Sequence, residues 1–282
     1  MRARSFHPYV WLIVFSIVLS SLVSVEATSA NTVIRDDGLT VVNVSSEDCK
    51  EPVQYLTLLI KTGSASDPIG KAGLMECTNE LLGYVFRGST AASQIYRYTG
   101  QDFSYFQFTI ARSNLKSFME QLDERLRSDV ILAYDFSNWL LYQRKAKPVN
   151  PAKPAYLNFS AMLYGTNHPY ILQLNPDYNN LNINEINKWF RRVYRPNNFI
   201  ISSSFKIPED FLRQPVGKEF KAPVGLPDIP SPHCERKPAI RYVKIHDNCS
   251  TVLMGFSGPK IDDEEYFAFR LGTLYLETEL TE

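Results

Sequence analysis

The 282-residue sequence lacks any excess of charge and has little histidine. Thirty basic residues balance thirty acidic residues, so no overall electric field attracts nucleic acid or an anionic membrane. We therefore expect no nucleic-acid partner. The chain has four histidines in all. A metal site that needs several imidazoles has few residues from which to be built.

Two common site motifs are also missing. The four cysteines contain no C-x-x-C pair, so their spacing does not favour a cysteine zinc site. The stretch KTGSASDPIGKAG has glycines after a predicted strand, but Ala72 follows Lys71 where a phosphate-binding P-loop needs Ser or Thr. This stretch is interpreted as an ordinary loop.

The N-terminus has the pattern of a secretory signal peptide. Arg2 and Arg4 precede an uncharged apolar run from Val10 to Val25, and small residues then allow cleavage after Ala27 or Ala30. The alternative is an uncleaved signal anchor, although the apolar run is short for a bilayer span of roughly 20 residues. We expect residues 1–30 to be a signal peptide and the protein to be secreted or periplasmic.

Export would place the cysteines where disulfides persist. Their pairing is left open, because four cysteines allow three complete pairings. The four are Cys49, Cys77, Cys234 and Cys249. A buried free thiol is favoured for Cys77, which lies on the apolar flank of a predicted helix.

Hydrophobic periodicity predicts an α/β or α+β fold with a largely antiparallel sheet packed by helices. Strands are predicted in TVVNVSSE, VQYLTLLIKTG, DFSYFQFTIA and FIISSSFKI. Helices are predicted at about 72–86, after a cap at Ser113, at 134–146, at 182–194 and from about 262. The proline-rich segment 214–238 is predicted to be a linker between a first unit, 31–213, and a shorter second unit, 239–282.

The helix beginning near Gly73 carries an unusual polar face. Apolar residues recur along one side of GLMECTNELLGYVFRGST, while Glu76, Asn79, Glu80 and Gly83 fall on the other. This face is either a working site, the remains of one, or solvated surface.

The motifs so far, in this order and spacing, resemble the M16 peptidases, the family of pitrilysin, insulinase and the mitochondrial processing peptidase. They include VQYLTLLIKTGSASDPIGKAGL, LYGTNHPY, NINEINKWFRRVYRPNNFIISSSF and STVLMGFSGPKIDDEEYFAFRLGTLYLE. The resemblance implies an α/β roll, two of which normally close around a peptide. On this alignment, 239–282 is the start of a second roll and stops before that roll's arginine and tyrosine pair.

In that family the helix carries an inverted zinc motif, H-x-x-E-H, in which two histidines bind Zn²⁺ and the glutamate is the general base. Alignment on Gly73 places Glu76 and Glu80 at the histidine positions and Asn79 at the base position. The best counterpart of the family's third ligand, a glutamate, is Gln143. Carboxylates alone do not exclude zinc, but an amide cannot accept a proton near neutral pH. The resemblance therefore implies a degenerate site with no catalytic residue, no metal ligand and no cofactor.

The histidines after the predicted signal peptide do not restore the motif. They are His168, His233 and His246, and none lies on a candidate ligand helix. For His168, in GTNHPY, packing or turn formation is favoured over catalysis.

Three functions follow from these observations. The leading one is a secreted, non-catalytic M16-like protein that partners an active zinc M16 subunit or another copy of an M16-like chain. The second is a weak zinc endopeptidase that uses Glu76, Glu80 and a borrowed ligand. The third is a free-standing peptide-binding protein with aromatic strand residues such as Phe106 lining a groove, although plain core is favoured for Phe106. Membrane contact is expected only through an uncleaved signal segment.

Overall fold

The computed structural model describes residues 31–43, 51–89, 91–128, 131, 133–146, 153–174, 176–213, 253, 259 and 263–281. The predicted signal peptide, the predicted linker and most of the start of the second unit lie outside these residues, so the domain boundaries stay predictions. None of the helices in the described ranges has the length and apolarity needed to cross a bilayer.

A six-stranded sheet forms the centre of the fold. Its strands are β1 (Asn31–Ile34), β2 (Thr40–Asn43), β3 (Val53–Ile60), β4 (Ala92–Thr99), β5 (Ser104–Ala111) and β6 (Phe199–Ser203). The strand order is β1-β2-β6-β3-β5-β4. Every described pairing is antiparallel except β2 with β6. The predicted α/β class with a largely antiparallel sheet is confirmed.

The structure describes seven helices. They are α1 (Leu74–Ser89), α2 (Leu115–Arg127), α3 (Ala133–Ala146), α4 (Lys153–Tyr164), α5 (Pro169–Leu172), α6 (Ile183–Val193) and α7 (Tyr266–Thr281). Single 3₁₀ turns lie at Ser64–Ser66, Arg112–Asn114, Tyr178–Asn180 and Pro196–Asn198. Helix α1 contacts β4, α6, α2 and α3, and this central position brings its polar face against several neighbours.

Strand alternation sets which face of the sheet is buried. In β3 and β5 every second residue is buried, and Phe106 of β5 makes an edge-to-face contact with Phe86 of α1, with ring centroids 5.2 Å apart. The residues between them point to the opposite face, where Tyr55 and Tyr96 are exposed. Among the described residues, helices pack against one face of the sheet and the other face is accessible.

Several predicted boundaries need correction. Helix α2 begins at Leu115 after Asn114, which makes no side-chain cap, and the predicted cap Ser113 belongs to the preceding 3₁₀ turn. Helix α7 begins at Tyr266. The predicted helix at 182–194 corresponds to α6, where Asn182 and Glu185 form a complete capping box.

The sequence reasoning missed β1, β4, α4 and α5. Strand β4 has exposed or half-buried residues on both faces, so it lacks a clear apolar alternation. The prolines of KPVNPAKP were interpreted as the stop of the helix at 134–146, and α3 does end at Ala146. Helix α4 was missed because Pro154 lies in its first turn. A proline is tolerated there because its missing N–H has no intrahelical partner to lose.

Candidate functional site

The polar face of α1 is positioned by a carboxylate at the start of the helix. The Asp67 side chain is buried and accepts hydrogen bonds from the backbone N–H groups of Gly73 and Met75, each at 2.9 Å. Burial raises the pKa of Asp67 to about 8, against the lowering effect of these backbone donors. Two free backbone N–H groups at the start of α1 are thereby satisfied.

Asn79 lies in the protein interior, because its relative exposure is only 1%. Its Nδ2 donates to the Thr99 hydroxyl of β4 at 2.7 Å, and its Oδ1 accepts from the Tyr194 hydroxyl just after α6. The interpretation of this face as solvated surface is wrong at Asn79. The amide joins three elements and uses both ends of its side chain to do so.

Glu80 is held by three side chains. Its Oε1 lies 3.4 Å from the guanidinium of Arg97 in β4. Its Oε2 accepts hydrogen bonds from Trp139 Nε1 at 2.5 Å and from Gln143 Nε2 at 3.0 Å, both on α3. The residues Trp139 and Gln143 are four apart and therefore share one helix face. The structure brings the predicted counterpart of the third ligand directly to Glu80.

Glu76 has a partner of another kind. The Tyr178 hydroxyl, in the 3₁₀ turn before α6, donates to Glu76 Oε2. The Tyr178 ring in turn packs edge-to-face on Trp139, with centroids 5.0 Å apart. Burial and the Glu76 charge raise the pKa of Tyr178 above its ordinary range, so this hydroxyl remains a donor.

Gly83 explains how an arginine reaches this face. A Cβ at this position would lie 3.0 Å from Cδ of Arg97. Glycine costs a helix interior about 1 kcal/mol relative to alanine, so an internal glycine often marks a close approach. Here the Arg97 stem lies across the helix at the position of Gly83.

This arrangement does not suit hydrolytic zinc chemistry. Within the described ranges, no group of three histidine, cysteine, aspartate or glutamate residues is placed to hold a metal ion. Both oxygens of Glu80 already have partners, and a cation lies beside it. The Asn79 amide, at the position where the resemblance leads us to expect a general base, cannot take a proton from water. The residues present do not fit the zinc ion that the fold suggests.

Other predicted residues have structural roles. The Nδ1 atom of His168 accepts from the Tyr170 backbone N–H at 3.2 Å and caps α5, so the predicted turn formation is confirmed. Phe106 is fully buried, so it is core and not part of a groove. Cys77 is a buried free thiol, as predicted. The remaining cysteines, with His233 and His246, lie outside the described residues.

The partners of the polar face were not identified from the sequence. They are Arg97, Thr99, Trp139, Tyr178 and Tyr194. One signal was present, because Arg97 and Thr99 are two apart and must share a strand face. The others come from distant segments, and nothing in their local pattern shows which helix they meet.

The accessible face of the sheet differs in composition. Across β4, β5 and β3 its side chains are uncharged, and the register places them in neighbouring rows. They are Gln94, Tyr96, Tyr98, Tyr105, Gln107, Thr109, Tyr55, Thr57 and Leu59. A shallow hollow of about 660 Å³ lies over part of this face and is also lined by Arg87 of α1. We call these nine residues the tyrosine face.

Comparison with known proteins places the fold. No protein-family model matches the sequence, and no curated protein matches it. Among solved structures, a protease from Helicobacter pylori is similar with a TM-score of 0.53 and 19% identity, over 73% of this chain and 54% of that one. A peptidase M16 inactive domain from Pseudomonas fluorescens has a TM-score of 0.53 and 18% identity, over 63% of this chain and 47% of that one.

These similarities establish the fold and its class. The chain has an M16 peptidase-like fold at low sequence identity. It spans about half the length of these solved structures.

Proposed function

We propose that this chain is an exported, non-catalytic M16-like protein that acts by binding, as the partner of a zinc-bearing M16 subunit. An M16 domain described as inactive shares its fold, which supports a non-catalytic role on this scaffold. Export rests on the N-terminal sequence pattern alone.

One observation carries the non-catalytic part of the proposal. Glu76, Asn79 and Glu80 occupy the positions expected for two ligands and a base, and each is hydrogen-bonded to side chains from other elements. Binding a metal would require at least the Glu80 carboxylate to leave Arg97, Trp139 and Gln143. A weak zinc endopeptidase is therefore not favoured.

Two surfaces support the proposal that the chain acts by binding a partner. Strand β4 is at the end of the sheet order, so one side of its backbone has no strand partner among the described residues. The tyrosine face lies next to it. Tyrosine enrichment and depletion of charge are the compositional features of interface centres.

Size-exclusion chromatography with light scattering tests the proposal. The chain would be measured alone and mixed with a full-length zinc M16 subunit encoded in the same genome. We expect a complex with the mass of the two chains together. A chain that stays monomeric with every M16 subunit of its genome would contradict the proposal.

A double variant and a matched control test whether the complex forms through the tyrosine face. We expect Tyr96→Ala combined with Tyr98→Ala to weaken the complex at least tenfold. The control is Tyr142→Ala, since Tyr142 is 60% exposed on α3 and away from the sheet. Equal affinity for the double variant and the control would show that the complex uses another surface.

A further inference from the structure

The carboxylates of Glu76 and Glu80 need compensation, because they are half-buried and four residues apart on one helix face. Like charges at this spacing repel each other, and partial burial strengthens the repulsion. A metal ion would normally supply the positive charge in such a place. In this chain the positive charge in contact with Glu80 is a side chain, Arg97.

We infer that Arg97 is the built-in counter-cation of this site and the residue that excludes divalent metal from it. The guanidinium lies 3.4 Å from Glu80, and the two side chains are 24% and 21% exposed. A divalent ion bound to Glu80 would face this cation in a partly water-excluded place, where repulsion between charges is stronger than in water.

The position of Arg97 is determined by its surroundings. Its stem passes over Gly83, and its guanidinium carbon lies 5.8 Å from the centre of the Tyr84 ring, on the same helix. This is cation–π distance. Strand geometry places Arg97 and Thr99 on one face of β4, so Glu80 and Asn79 of α1 are linked to the same strand. The cation is therefore held by the strand at the edge of the sheet.

The inference deepens the proposed function, because it names the residue that keeps the site free of metal. It is tested separately from partner binding. A failed search for a partner leaves the metal response of the isolated chain measurable, and an altered metal response leaves the complex measurable.

The experiment is a thermal-unfolding cycle on the full chain, with EDTA and with added zinc chloride. The variants are Arg97→Met, Glu80→Gln and the two combined. We expect zinc to leave the Tm of the natural chain unchanged and to raise that of Arg97→Met by about 2 °C or more. The combined variant should lose this response. The control is Arg87→Met, in which an exposed arginine of α1 without an ion pair in the described structure is replaced.

Two results would overturn the inference. One is a Tm of Arg97→Met that is as insensitive to zinc as that of the natural chain. The other is a zinc-induced rise in Tm that is equally large in the natural chain and in Arg97→Met. If Arg97→Met does not fold, the combined variant should, because it no longer contains the uncompensated carboxylate. Failure of both variants to fold would show that Arg97 acts through packing alone. The same conclusion would follow if the Tm loss of the combined variant equalled the sum of the losses of the two single variants.

Discussion

The polar face of α1 and the tyrosine face of the sheet differ in how far their polar side chains are bonded within the chain. On the face of α1, each of the three polar side chains Glu76, Asn79 and Glu80 is hydrogen-bonded to neighbouring elements. The tyrosine face is uncharged, and Tyr55 and Tyr96 are 52% and 56% exposed. The comparison teaches that a row of polar side chains on a helix can support the fold from inside, while the more exposed polar surface lies on the sheet.

The largest expected effect is on the α1 face, at Asn79. Replacement with alanine should lower the free energy of unfolding by about 3 kcal/mol, because it removes the partner of the buried Tyr194 hydroxyl and of the half-buried Thr99 hydroxyl. Urea unfolding measures this loss. The control is Asn138→Ala on exposed α3 surface, which should stay within about 0.5 kcal/mol. A loss below that value at Asn79 would mean that the face is not a structural support.

Asp67, which accepts hydrogen bonds at the start of the same helix, should make the stability of the chain change with pH. Its folded pKa of about 8 lies above the ordinary value of 3.8, so between these pH values the folded state binds more protons than the unfolded state. This contribution to stability is fully present below about pH 4 and is lost as the pH rises through 8. From pH 5 to pH 8 the stability of the natural chain should therefore fall relative to Asp67→Asn, by about 1 kcal/mol or more. A stability difference that is constant with pH would contradict the raised pKa.

A single hydroxyl provides a finer test of the same face. Removing the donor to Glu76 with Tyr178→Phe should cost about 1 kcal/mol, because one hydrogen bond is lost while the ring contact with Trp139 remains. Chemical unfolding measures this cost. The control is Tyr98→Phe, which removes a hydroxyl from a side chain that is 43% exposed on the tyrosine face. Equal costs for the two variants would remove the distinction between the faces.

The smallest effect on stability should come from the tyrosine face itself. Tyr96→Ala should change the free energy of unfolding by less than about 1 kcal/mol, because the ring is exposed and its contact with Tyr105 spans 5.9 Å between centroids. The same variant should have its main effect on association. A large loss of stability in urea would show that this face is already packed within the chain.

The sequence predicted the repeating features of the fold, and it singled out the polar face of α1. Alternation revealed β3 and β5, and helical spacing revealed α1 and α6, because most of the residues on their buried faces are apolar. Strand β4 was missed because its inward residues include Arg97 and Thr99, which serve the polar face of α1. Asn79 looked like surface on a helical wheel, since periodicity cannot show that Tyr194 lies opposite it.

Bound zinc and peptide cleavage, measured together on the purified full chain, test the central claim most directly. If Glu76, Asn79 and Glu80 support the fold and do no chemistry, metal analysis after purification in zinc should find far less than one equivalent. A general peptide substrate should then be cleaved no faster with zinc than with a chelator. One equivalent of zinc with chelator-sensitive cleavage, both lost in Glu80→Gln, would contradict the account.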